Sequence, residues 1–150
     1  MAYDVFKISQ KLIHLADIDV ANGGEPLTNL KLQKLLYYEQ GFHLAMFGSP
    51  LFNDDIEAWA YGPVVPDVYH KMKEFQRNPL PVSPDKPLRL TDKEDDLFAE
   101  VYESFRGFSA IGLVDKTHGE SPWKNAVAKG GWNTVISQGD MAAYFKTQLA

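Results

Sequence analysis

The chain has 150 residues, 45% of them hydrophobic and 13% aromatic, enough apolar surface for a single domain, residues 1–150, to close a core without staples. It contains no cysteine, which excludes disulfides and thiolate metal sites and agrees with a cytosolic home. The formal charge of −5 argues against nonspecific nucleic-acid binding and suits a basic protein partner.

The start, MAYDVFKISQK, has no basic region followed by an apolar one, so no signal peptide is expected. No apolar run approaches the ~20 residues of a membrane span, so no membrane contact is expected and the localisation is read as cytoplasmic.

Asp4 is a helix cap, and Val5, Ile8, Leu12 and Leu15 recur at helical spacing until Asn22-Gly23-Gly24. Thr28 or Asn29 opens a second, longer helix, LKLQKLLYYEQGFHLAMF, with apolar residues on almost every face. Such a helix is normally the central one. Gly41 inside it costs about 1 kcal/mol against alanine, which close approach of a neighbouring helix would justify.

Gly48-Ser49-Pro50 breaks that helix. After an Asn53-Asp54-Asp55 turn, Ile56, Ala58 and Ala60 alternate with Glu57, Trp59 and Tyr61, the period of a strand, which Gly62-Pro63 ends. Pro66 suits the first position of a helix burying Val68, Met72 and Phe75. Prolines 79, 81, 84 and 87 predict a stiff, extended surface loop.

Thr91 with Glu94 forms a capping box, and its helix carries Phe98, Val101, Tyr102, Phe105 and Phe108 on one face. Ser109 caps a short helix ending at Thr117-His118, with Gly119 expected at positive φ. Ser121 caps the next, with Pro122 first, and Gly130-Gly131 closes it. Asn133–Ile136 predicts a strand pairing with 56–60, and Ser137 with Asp140 caps a last helix burying Met141, Tyr144 and Phe145. The expected fold is mainly α: about seven helices packed around a central helix (about 28–47), with a small two-stranded β-ribbon (about 55–61 and 133–136).

Asp115 and His118 share a helix face, with Glu120 close behind, the makings of an acid–base pair for a small hydrolase. No nucleophile accompanies them, and a histidine ending a helix is favoured there by the dipole, so capping or packing is the better reading. His14, His43, His70 and His118 stand singly on separate segments without metal-ligand spacing, and Asn53-Asp54-Asp55 lacks the alternation of a calcium loop. No metal or cofactor is expected. Gly23-Gly24-Glu25-Pro26 and Gly130-Gly131-Trp132 are poor phosphate loops and read as turns. Lys31, Lys34, Lys71 and Lys73 read as a solvated helix face before a nucleic-acid strip. Trp59 and Tyr61 lie opposite the small apolar residues of their strand, so either both faces of the ribbon are covered or these rings await a partner. Trp123 reads as a core wedge.

Three segments carry a resemblance: Lys31-Leu32-Gln33-Lys34-Leu35; Ala58-Trp59 with Tyr61-Gly62-Pro63-Val64; and Thr117-His118 with Pro122-Trp123. In this order and spacing the chain resembles, over essentially all of its length, the SocA-like antitoxins of the Panacea domain family, a group that includes phage-associated GepA-like proteins. The resemblance implies a mainly helical, non-enzymatic antitoxin of a toxin–antitoxin system, which neutralises a cognate toxin encoded next door by direct protein–protein binding. No catalytic residues carry over, and the extra DNA-binding module of some relatives is not seen. An adaptor delivering the bound partner to a protease is the alternative, and the hydrolase using Asp115 and His118 a lesser one. Occlusion needs an aromatic centre and a charged rim. Trp59, Tyr61, Pro63 and Tyr69 would supply the first. Asp54, Asp55, Glu57 and Asp67, with the run Asp92–Asp96, would supply the second.

Overall fold

Residues Asn29–Phe47 contain no proline and no β-branched side chain, and they form the 19-residue helix α2 that the other elements surround. The computed structural model describes residues 2–149. Thr28 stands at the α2 N-cap in extended conformation, and Gly48 ends the helix at φ +72°. Before it runs α1 (Val5–Ala21), whose Asp4 cap accepts from the Phe6 N–H at 2.9 Å. After it come β1 (Glu57–Trp59), β2 (Gly62–Val64), α3 (Pro66–Met72) and one 3₁₀ turn (Lys73–Phe75). The second half holds α4 (Asp92–Phe105), α5 (Ala110–His118), α6 (Ser121–Gly130), β3 (Thr134–Val135) and α7 (Gln138–Lys146). The mainly helical architecture about a central α2 agrees with the hydrophobic pattern.

The core gathers on α2. Leu32, Leu35, Leu36, Tyr37 and Tyr38 are sealed from solvent together with Ile8 and Leu12 of α1, Val68 of α3 and Leu113 of α5. Tyr38 stacks on Phe105 of α4 with centroids 3.9 Å apart, and Phe145 of α7 stands edge-on to Tyr37 at 5.4 Å. Gly41 is where α7 approaches: any Cβ there would overlap the Phe145 ring.

The sheet corrects the two-stranded expectation. Its order is β2-β1-β3, both pairs antiparallel, with Trp59 opposite Gly62, Glu57 opposite Val64 and Val135, and Ala58 opposite Thr134. The pairing of 56–60 with 133–136 is present, but Gly62-Pro63 begins a strand instead of ending one. Gly62 at φ +99° lets the chain reverse after Ala60-Tyr61, and Pro63 lies on an edge strand, where a missing N–H is tolerated.

Four local expectations also change. Phe75 falls in the 3₁₀ turn and is half-buried, because α3 stops at Met72. Phe108 lies beyond the end of α4 and is exposed. Gly119 has φ −87°: α5 runs into α6 through a right-handed turn that needs no glycine freedom. Glu120, not Ser121, is the residue before α6, because its side chain is drawn into the core. The proline segment, finally, is a strap. Leu80 and Leu90 are buried, the Leu80 N–H donates to Leu27 O at 2.9 Å, and Ser83 N–H and Leu88 O bond Gln10 and Lys11 of α1.

Glu94 closes the N-terminal end of α4 onto α2. Its Oε1 accepts from the Tyr3 hydroxyl (2.5 Å) and the Thr91 N–H (3.1 Å), and its Oε2 faces His43 Nε2 at 2.6 Å. Burial pushes this carboxyl up, but the bonds from Tyr3, His43 and Thr91 outweigh it and hold it at about 2.

Two outcomes test this packing. Gly41→Ala should lose about 1–3 kcal/mol of stability in urea denaturation, the usual penalty of overpacking; an unchanged midpoint would mean that α7 does not press on α2 there. Because the Glu94 pKa is depressed from its ordinary 4.5, its contribution is complete above pH 4.5 and is lost as pH falls toward about 2. The Tm of the wild type should therefore fall more steeply across that window than that of Glu94→Gln, and parallel acid curves would count against the latch.

Candidate functional site

Lys34 and Gln33 are spent on the edge of β2. The Lys34 ammonium, fully buried, donates to Pro63 O at 3.0 Å, and Gln33 Oε1 accepts from the Val65 N–H at 2.9 Å. A Cβ on Gly62 would lie 2.7 Å from Lys34 Cε and 2.8 Å from Thr117 Oγ1, so glycine is required by space as well as by φ. On the other strand, Trp123 Nε1 donates to Trp59 O at 2.9 Å. The segments 31–35, 58–64 and 117–123, scattered in sequence, thus meet at one hairpin. The basic strip does not form. Lys34 is buried, Lys31 donates to Arg106 O at 2.6 Å, and Lys71 lies over the Phe6 ring. Desolvation lowers the Lys34 pKa from 10.5 to about 7.

The hairpin presents its aromatic side chains to a cleft of about 580 Å³. Trp59, Tyr61, Tyr69 and Trp132 line it, with Lys73, Gln76, Arg77 and Asn133. Trp59 is half-buried, edge-on to Tyr69 at 4.9 Å, and its Nε1 donates to Glu57 Oε1 at 2.9 Å. Tyr61 and Trp132 remain 69% and 66% exposed. Among the described residues, Gln76 (φ 51°) and Asn133 (φ 68°) are the non-glycine positions at positive φ, and both line this cleft.

Of the residues singled out for a partner, Trp59, Tyr61 and Tyr69 are brought together. Pro63 is buried, with its carbonyl taken by Lys34. Asp54, Asp55, Glu57 and Asp67 lie outside the lining. Asp54 is half-buried, and burial, then the Asp67 carboxylate, raise its pKa. In the acidic run, Glu94 is held by His43 and Tyr3, and Asp95 pairs with Lys11 at 3.1 Å, leaving Asp92 and Asp96 exposed. Trp132 is the residue that sequence reasoning passed over as part of a Gly-Gly turn. A tryptophan immediately after a helix-ending Gly-Gly was the available signal. Gln76 and Arg77 had none.

The Asp115–His118 pair is not assembled. No hydrogen bond joins them among the described residues. Asp115 is exposed, while the His118 ring stacks on Trp123 at 4.2 Å. Trp123 is half-buried, the wedge its position predicts. Glu120 turns away into the core, accepting from the Tyr37 and Tyr38 hydroxyls at 3.0 Å each, with Lys116 Nζ at 3.5 Å. Burial raises its pKa against those bonds. Among the described residues no three His, Asp or Glu side chains gather as for a metal, and no helix is long and apolar enough to cross a membrane.

The model of the SocA-like antitoxin family, Panacea domain, matches residues 32–124, which take in α2 from Leu32 onward, the hairpin, α5 and the Trp123 wedge. A relative, Antitoxin SocA of Caulobacter vibrioides (strain NA1000 / CB15N), is 54% identical over 44 residues, 29% of this chain and 23% of the relative's own length. No solved structure matches.

The buried lysine makes a pH signature. With a folded pKa near 7 against an ordinary 10.5, the unfolded chain binds the extra proton between those values, so stability should rise from pH 7 to 10.5. Urea midpoints at pH 6.5 and 9.5 should show this rise in the wild type and a smaller one in Lys34→Met; equal slopes would mean that Lys34 is solvated.

Proposed function

We propose that this chain, which belongs to the SocA-like antitoxin family with its Panacea domain, is an antitoxin that neutralises a separately encoded toxin protein by binding it directly at the aromatic cleft. The observation that carries the reading is the grouping of four large aromatics in one cleft, Trp59 and Tyr61 from a hairpin held rigid from beneath, Tyr69 from α3 and Trp132 from the turn before β3, with Tyr61 and Trp132 largely exposed. Tryptophan and tyrosine dominate binding hot spots because they lose much apolar surface to a partner at small entropic cost. Pre-organisation by Lys34, Gln33, Thr117 and Trp123 lowers the ordering penalty that association would otherwise meet. A binding role is further supported by His118, whose ring stacks on Trp123 and, among the described residues, has no hydrogen bond to a carboxylate.

Co-expression tests the class. The reading frame adjacent to this chain's gene should arrest growth alone and be rescued by this chain, and failure of rescue would end the antitoxin reading. The surface is tested separately. Tyr61→Ala and Trp132→Ala should each weaken toxin binding by about 2 kcal/mol, roughly 30-fold, with an unchanged Tm. Undiminished affinity in both folded variants would move the contact elsewhere.

A further inference from the structure

We infer that the cleft takes an acidic segment of the partner protein, in which a bulky apolar or aromatic side chain is flanked by aspartate or glutamate. The inference rests on the proposal that the cleft is where the toxin binds, and it names the chemistry recognised there. The chain as a whole is anionic, at −5, yet the lining of this cleft contains no aspartate or glutamate. Its charged members are Lys73 and Arg77, both exposed and neither in an ion pair among the described residues. Glu57, the nearest carboxylate in the hairpin, is engaged by the Trp59 indole. The local sign is therefore the reverse of the global one, and it complements a carboxylate.

Size and strain point to the same use. About 580 Å³ accommodates one large side chain with its adjoining backbone, within the usual span of a binding pocket. Gln76 at φ 51°, ψ −119° is held in a sparsely populated conformation, and strain of this kind persists where surrounding structure imposes it, often at ligand sites. Aromatics beside cations also suit single-stranded nucleic acid. Two cations, however, neutralise few phosphates of a strand but match the carboxylates of a short acidic segment, so a peptide is favoured.

The test uses three acetylated, amidated hexapeptides, Gly-Glu-Phe-Glu-Glu-Gly and its glutamine and lysine counterparts, titrated into the ¹⁵N-labelled full chain. The acidic peptide should shift the Trp59 and Trp132 indole N–H signals and bind about 10-fold more tightly than the glutamine peptide, with the lysine peptide weakest. In Lys73→Glu/Arg77→Glu, folded by the same Tm, the order should invert. Equal binding of all three, no indole shift, survival of the acidic preference after charge reversal, or displacement of the peptide by a ten-nucleotide oligothymidine would each overturn the inference. Rescue of toxin-arrested growth separates the two proposals. Undiminished rescue by the charge-reversed chain would overturn the acidic segment and leave the antitoxin reading standing. Absence of rescue by the wild type would end the antitoxin reading, while the peptide order still decides the cleft's preference.

Discussion

A lysine sealed inside a small helical protein is the constraint on which the hairpin depends. Taking an ammonium out of water is unfavourable, and the group responds by a depressed pKa and by donating to whatever oxygen is in reach. For Lys34 that oxygen is the carbonyl of Pro63, on the outer strand of a three-stranded sheet too small to be stable alone. The lysine stem lies against Gly62, where a side chain would collide, and Thr117 closes from α5. Loss of the lysine contact would leave a buried carbonyl unpaired, and loss of the glycine would push the strand off the helix. Helix and hairpin thus define each other's position.

The same logic runs along the whole of α2. A central helix is expected to be apolar, yet Asn29, Gln33, Lys34, Glu39, Gln40 and His43 are all buried. Most of them serve irregular backbone that would otherwise be buried without partners. Gln33 takes the Val65 N–H, Gln40 brackets Leu51 and Phe52, and His43 Nδ1 faces Ser49 O at 2.6 Å. Burial of loops is rare because their amides and carbonyls need partners. Here one helix provides them, so the segments before and after the hairpin are pinned to the core.

That arrangement separates a buried support from an exposed rim. Gln33, Lys34, Gly62, Pro63, Thr117 and Pro122 are buried, whereas Tyr61, Trp132, Lys73 and Arg77 are exposed. The residues that carry the family resemblance largely build the platform, whereas Lys73, Gln76, Arg77, Trp132 and Asn133, cleft residues outside those segments, face solvent. A platform of this kind tolerates change at its rim without loss of fold, because surface substitutions away from buried networks perturb stability little.

What was legible in the chain alone was local. Asp4, Thr91 with Glu94, Ser109 and Ser137 announce their helices because capping is an exchange between residues two or three apart. The 3.6-residue period placed α1 and α4, apolar residues on almost every face marked α2 as the central helix, and Gly41 signalled a close neighbour without saying that it would be Phe145. Three things were decided only by packing. Lys34 and Gln33 look solvated by type, and spacing cannot tell which faces of a helix others will cover. Asp115 and His118 share a face, yet the ring finds Trp123 a better partner than the carboxylate. The pairing of β3 with β1 was legible, but that it brings Trp132 into one cleft with Trp59 depends on a register set by the helices that bring the strands together. Short-range hydrogen bonds and periodicity are written in neighbouring residues, whereas burial, charge state and the composition of a cleft depend on what the rest of the chain lays against them.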